Sequence, residues 1–231
     1  MVYITGDTHG VFDRIEEFCA RFKTTIYDIM IINGDAGINT IYPNRDRQIK
    51  EFLAELPITL FCVHGNHENR PEHIMSYRQS TFCGGRVWWD PEFPDMYFAV
   101  DGEVYDFGNI RTLVIGGAYS VDKPLRLAEG MMWFSDEQPS HEAKRNAEQN
   151  IAKYGARIGA VCTHTCPERY LPYEAFLSGI DQSTVDQSTE KWLDCIADLI
   201  SPKVWYCSHF HINKVVDKTV FLYDSIRKFG E

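Results

Sequence analysis

Short apolar runs alternate with helical periodicity along most of the chain. Residues 2–5 (VYIT) predict a buried strand, and Phe12, Ile15, Phe18, Cys19 and Phe22 follow at helical spacing. Residues 28–33 (DIMIIN) and 58–63 (ITLFCV) predict two further strands. Between them a helix is expected over residues 45–55, ending before Pro57. Residues 82–120 hold several β-like pieces, at 86–89, 96–100, 103–107 and 110–116. Their short turns predict antiparallel pairing. Ser140 is placed to cap a helix that runs to Tyr154 and ends at Gly155. Residues 158–163 predict another apolar strand. Ser188 is expected to cap a last helix, with Trp192, Ile196, Leu199 and Ile200 facing inward and Pro202 ending it. Residues 203–207 and 213–223 predict closing strands.

Strands and helices that alternate at both ends imply an α/β fold with much parallel pairing. The antiparallel middle makes the sheet mixed, or makes two sheets. Neither a repeat nor a Gly/Ser linker divides the 231 residues, so one domain over 1–231 is expected.

Composition narrows the class of protein. Apolar residues are 44% of the chain and charged residues 24%, values of an ordinary folded protein. The formal charge of −10 opposes duplex nucleic acid and anionic membranes as partners. Seven cysteines with no CxxC pair do not make a disulfide framework. The N-terminal MVYITGD lacks the features of a secretory leader, so a reducing cytoplasm is the expected location. Oligomeric state leaves no mark on the sequence.

The residues that can carry chemistry stand just past the strands. Asp7 and His9 come after the first, and Asp35 after the second. Asn66, His67 and Glu68 come after the third, His164 after residues 158–163, and His209 and His211 after residues 203–207. Carboxyl ends of strands in open α/β sheets gather at one edge, where ligands bind. Residues from 7 to 211 are therefore expected to converge. Two Asp, one Asn and at least four His form an oxygen and nitrogen donor set without thiolates, suited to Mn, Fe or Zn. The set is too large for one ion. A bridging carboxylate would hold two ions about 3.5–4 Å apart.

The ordered set DxH, GD, GNHE, a lone His and HxH resembles the calcineurin-like metallophosphoesterase superfamily. GNHE alone arises by chance in about one in a thousand chains of this length, and the other elements in order make coincidence remote. The resemblance implies two mixed β-sheets packed as a sandwich with helices outside. It implies two metal ions, with Mn favoured and Fe or Zn as alternatives. Asp7, His9 and His211 would bind the first ion. Asp35 would bridge, and Asn66, His164 and His209 would complete the second site. His67 would not be a ligand but would sit near the leaving-group oxygen, as general acid or as a transition-state donor, and Glu68 would orient or tune His67. A hydroxide bridging the ions would attack phosphorus in line.

The chain departs from the family pattern twice. The usual GHxH is Ser208-His209-Phe210-His211. GDAGIN replaces the GDxVDRG of Ser/Thr protein phosphatases, so the arginine those enzymes use against phosphate is missing. GGAYSVDK at 116–123, with Arg126 and Trp133 beyond it, resembles a compact bacterial and phage-type branch of the superfamily. Arg126 follows an apolar strand and a Gly-Gly turn, and its guanidinium suits a phosphate clamp beside Asn66. The expected activity is a phosphomonoesterase acting on a phosphorylated small molecule or an exposed phosphoester. A phosphodiesterase or nuclease with the same centre is the alternative. A non-catalytic scaffold would have lost ligands or His67, and every position is filled.

Overall fold

The computed structural model describes residues 1–231. Strand β1 (Val2–Thr5) sends Tyr3 to one face and Ile4 to the other, as the two-residue period of a strand requires. Helix α1 (Asp13–Phe22) covers the Tyr3 face with Ile15 and Cys19. The chain returns as β2 (Ile29–Ile32), crosses through α2 (Pro43–Ala54) and returns again as β3 (Thr59–Cys62). These three strands pair in parallel, with Tyr3 opposite Met30 and Met30 opposite Leu60. Next come β4 (Arg78–Phe82), β5 (Gly85–Trp89) and β6 (Met96–Ala99). Strand β6 pairs parallel to β3, while β4, β5 and β6 pair antiparallel.

A second sheet starts with the hairpin of β7 (Val104–Phe107) and β8 (Ile110–Ile115). The short helix α3 (Lys123–Glu129) and the longer α4 (His141–Tyr154) lead to β9 (Ala160–Thr163). Helix α5 (Ser188–Leu199) then leads to β10 (Val204–Cys207), and the hairpin β11 (Lys214–Val216) and β12 (Thr219–Phe221) comes next. Strands β8, β9, β10 and β12 are parallel neighbours. Strand β13 (Ile226–Lys228) crosses back to pair antiparallel with β1.

The result is a seven-stranded sheet facing a six-stranded sheet, with helices on both outer sides. Between the sheets lie Ile4, Ile31, Phe61, Tyr105, Phe107, Val114 and Tyr206. The Phe61 ring meets Tyr105 and Phe107 edge-on at 4.8 and 4.9 Å. Each such side chain contributes roughly 1.5–3 kcal/mol through burial. On the far side of the second sheet, Ala147 and Ile151 of α4 and Leu193 and Ile196 of α5 cover Leu113, Val161 and Trp205.

The expected mixed sandwich is present, and most expected elements fall within two residues of the observed ones. Ser140 caps α4 by accepting the Ala143 N–H at 3.1 Å. Ser188 does not cap α5. It is the first helical residue, after Gln187, and its own N–H donates to Asp186 Oδ1. Leu199 is 66% exposed rather than inward, because Thr189, Glu190, Leu193 and Ile196 form the buried stripe. Residues 213–223 are two strands, since Asp217 turns with φ of 52°.

Candidate functional site

The carboxyl ends of β1, β2, β3, β9 and β10 meet at one edge of the sandwich, and the seven donor residues meet there. His9 Nε2 lies 3.0 Å from His211 Nε2, and His211 Nε2 lies 3.1 Å from Asp7 Oδ2. His9 Nε2 is 3.8 Å from the same oxygen. A second focus lies at Asn66 Oδ1, which is 2.9 Å from His164 Nε2 and 3.1 Å from His209 Nδ1. Asp35 Oδ2 is 3.6 Å from His164 Nε2. Donor atoms of Asp7, Asp35 and His164 all lie within 4.8 Å of one another, which puts Asp35 beside both groups.

Three observations fit these donors to cations. Octahedral ions with bonds of about 2.1 Å bring neighbouring donors to about 3.0 Å, and four of the six separations above lie between 2.9 and 3.1 Å. Asp7 Oδ2 is buried with no aligned hydrogen bond, although His211 Nε2 is near it. An orphaned buried oxygen is costly unless a partner fills the gap. Finally, His9, Asp35, His209 and His211 have φ of 48°, 45°, 67° and 52°. Such left-handed conformations strain non-glycine residues and persist where surrounding structure imposes them, commonly at functional sites. Here they turn four donors toward one place.

Both carboxylates are held in the ionised form that binds cations. Burial would raise Asp35, but the charge and contact of His164 override it and hold the carboxyl well below the usual range. Burial likewise opposes ionisation of Asp7, and His211 with His164 lowers it. His164 is driven up to about 9: burial works against this, and Asp35 prevails. His209, buried without such a partner, is pushed down to about 3. Backbone amides fix the opposite carboxylate oxygens. His209 N–H donates to Asp7 Oδ1 at 3.2 Å and His67 N–H donates to Asp35 Oδ1 at 2.9 Å.

A further layer orients the donors. His164 Nδ1 lies 3.1 Å from the Asn33 carbonyl, so Nδ1 keeps its proton and Nε2 is the nitrogen that a cation would bind, displacing the proton that Asp35 otherwise holds there. Ser208, which replaces a glycine of the family pattern, also donates its hydroxyl to that carbonyl. Asn66 Nδ2 donates to Ser120 Oγ at 2.8 Å, and Ser120 donates to Glu137 Oε2 at 2.6 Å. Trp133 Nε1 donates to the same oxygen at 2.7 Å. The relay from Trp133 to Asn66 is the part of the site that motif matching missed. Only the polar residues scattered through 116–137 hint at it. Two glycines are steric requirements. A Cβ on Gly34 would stand 2.0 Å from the His164 ring, and one on Gly65 would stand 1.9 Å from Asp35 Oδ1.

His67 stands beside the donors, with Nε2 3.2 Å from Asn66 Nδ2 and 3.4 Å from Arg126 Nη2. Burial, assisted by the Arg126 charge, lowers its pKa. Arg126 is anchored by Asp122, whose two oxygens accept from Nε at 2.8 Å. Glu68 is not where the motif implied. It is buried behind the loop, accepts the Gly65 N–H at 2.8 Å and makes no hydrogen bond to His67. Its position after a buried strand turns the carboxylate back into the protein, where burial raises it to about 8. Asn66 and Arg126 touch His67 instead.

A cavity of about 560 Å³ opens over His9, Asp35, Asn66, His67, His209 and His211. Segment 119–126 forms one wall and segment 171–187 another. No helix is long and apolar enough to cross a membrane.

Comparison with curated proteins finds no match. One solved crystal structure aligns over 96% of this chain and 88% of its own length, at 11% identity and a TM-score of 0.49. The family model for calcineurin-like phosphoesterases matches residues 1–213. That span contains all seven donors together with His67 and Arg126. The chain belongs to the calcineurin-like phosphoesterase family, whose members hydrolyse phosphoric esters with the help of metal ions.

Proposed function

We propose that this chain, as one domain, is a dinuclear phosphomonoesterase. The observation that carries the proposal is the convergence of seven oxygen and nitrogen donors in two groups, with His67 and Arg126 beside them and outside the donor set. Asp7, His9 and His211 would hold one ion and Asn66, His164 and His209 the other, with Asp35 shared. Manganese, iron and zinc all suit these donors, and manganese is the ion that the family resemblance favours. Such ions supply charge for the phosphoryl oxygens and a water of lowered pKa as nucleophile.

The chain's own residues do the rest. Arg126 presents Nη2 toward His67 and adds a cation where a dianionic monoester needs one. Its fixation by Asp122 lowers the entropy lost on binding phosphate. His67 opens to the cavity beside that guanidinium and serves the leaving oxygen, either protonating it or donating a hydrogen bond to it in the transition state. Asn66 holds the phosphate with Arg126 and keeps its amide oxygen toward His164 and His209. The substrate is a phosphorylated small molecule or an exposed phosphoester, since the net charge of −10 repels nucleic-acid backbones.

Calorimetric titration of chelator-stripped protein with Mn²⁺ tests the dinuclear centre. Two equivalents should bind, and hydrolysis of 4-nitrophenyl phosphate should require both. One equivalent with full activity would refute a two-ion centre.

A further inference from the structure

We propose that the cavity beyond the donors holds the organic group of the ester, and that this group is an uncharged aromatic or similarly flat apolar one carried on a single phosphoryl group. The inference rests on the phosphoesterase function above and specifies its substrate class.

The lining changes character away from the donors. Phe176, Leu177, Ile180 and Val185 come from the 171–187 segment, and Phe210 and Ile212 join them from the His-x-His loop. Phe210 lines the cavity, and its ring centroid lies 5.1 Å from that of the donor His209. The Phe176 ring lies nearly parallel to it, at 15° and 6.3 Å between centroids. Phe221 meets Phe210 from beneath at 68° and 6.0 Å, which fixes its orientation. A flat apolar wall therefore starts beside the donors. Leu177 at its edge is 61% exposed, apolar surface that a ligand would cover.

Charge narrows the class further. Beyond the donors and His67, the ionisable lining residues are Tyr119, Asp122, Arg126 and Glu190. Arg126 is the one cation among them, and Asp122 matches its charge. Lys123 is turned away onto Trp133, 4.5 Å from the ring centroid. A second phosphate or a carboxylate would find no free cation among the lining side chains, only the Asp122–Arg126 pair and the buried Glu190 carboxyl. Polyphosphates, bisphosphates and nucleic-acid strands are disfavoured on that ground. The cavity of about 560 Å³ accommodates a phosphoryl group with one or two rings.

The test uses the Mn²⁺-loaded full chain and phosphonates that cannot be hydrolysed. Affinities of orthophosphate, methylphosphonate, benzylphosphonate and 4-carboxybenzylphosphonate are measured by calorimetry. Benzylphosphonate should bind at least tenfold more tightly than methylphosphonate, and the added carboxylate should cancel that gain. Phe176→Ala should narrow the benzyl-to-methyl ratio at least threefold. Leu177→Ala, at an exposed position that folding does not require, should narrow it too. In turnover, 2-phenylethyl phosphate should show a lower KM than glycerol phosphate, whose alcohol leaves similarly. Equal affinity of the two simple phosphonates, or a ratio unchanged in both variants, would overturn the inference while orthophosphate binding sustains the phosphoesterase function. Failure of orthophosphate and all phosphonates to bind would overturn both.

Discussion

Ser120→Ala removes one hydroxyl and with it the device that orients Asn66. Ser120 is 1% exposed, and its single proton is committed to Glu137 at 2.6 Å. The hydroxyl oxygen must then accept from Asn66 Nδ2, at 2.8 Å, which leaves Oδ1 facing His164 and His209. Without Ser120 the amide can turn, and an NH2 group directed at those histidines cannot ligate a cation. A buried donor left without its acceptor costs roughly 1–3 kcal/mol. At about 1.4 kcal/mol per decade this corresponds to a roughly five- to hundredfold loss in metal affinity. Outer-layer partners of metal ligands typically show losses of about 10–100-fold. Calorimetric Mn²⁺ titration of stripped wild type and variant should therefore show one site weakened by at least tenfold. The site formed by Asp7, His9 and His211 should stay within threefold. Two unchanged sites would refute the orienting role, and equal weakening of both would show a general loss of structure.

Other substitutions separate the remaining roles. Asp35→Asn keeps the shape but removes the shared negative charge, so elemental analysis should find fewer than one ion per chain and activity should fall by at least a thousandfold; two retained ions would refute the sharing. His67→Gln should keep both ions yet lower kcat about 10²–10⁴-fold, more for alkyl than for nitrophenyl esters, and equal losses would remove the proton-donor role. Burial raises Glu190, though the Thr165 hydroxyl at 2.7 Å partly offsets this. Its stabilising contribution is thus complete below about pH 4.5 and lost as pH rises through the raised value. Urea unfolding should show Glu190→Gln gaining stability relative to wild type between pH 5 and 8; a relative loss would refute the burial effect. Ser140→Ala should cost about 1 kcal/mol through the lost cap, lowering Tm by about 2–4 °C, and an unchanged Tm would mean that the Ala143 N–H finds another acceptor.

Strands of the two sheets were legible because buried runs such as IMII and ITLFCV carry an unambiguous apolar signal. The donors were legible because each stands just past such a run, and the topology brings those ends to one edge. Other parts depend on contacts that no local pattern encodes. Strand β13 forms only because β1, at the opposite end of the chain, offers it an edge. Helix α3 buries nothing, so its seven residues carry no apolar stripe to read. The inward set on α5 differs from the expected one at Leu199 because packing against β9 and β10 selects Leu193 beside the expected Ile196. Glu68 lies next to His67 in sequence, yet the turn after β3 directs it into the protein interior, where Gly65 holds it. The orientation of Asn66 depends on Ser120 and Glu137, both far along the chain, and only the folded protein reveals that link.

The most direct test compares initial rates on 4-nitrophenyl phosphate and bis(4-nitrophenyl) phosphate with Mn²⁺-reconstituted full chain, each repeated after chelation. A dinuclear phosphomonoesterase hydrolyses the monoester faster, and chelation abolishes both activities. No chelator-sensitive turnover of either ester, with two ions confirmed bound, would contradict it.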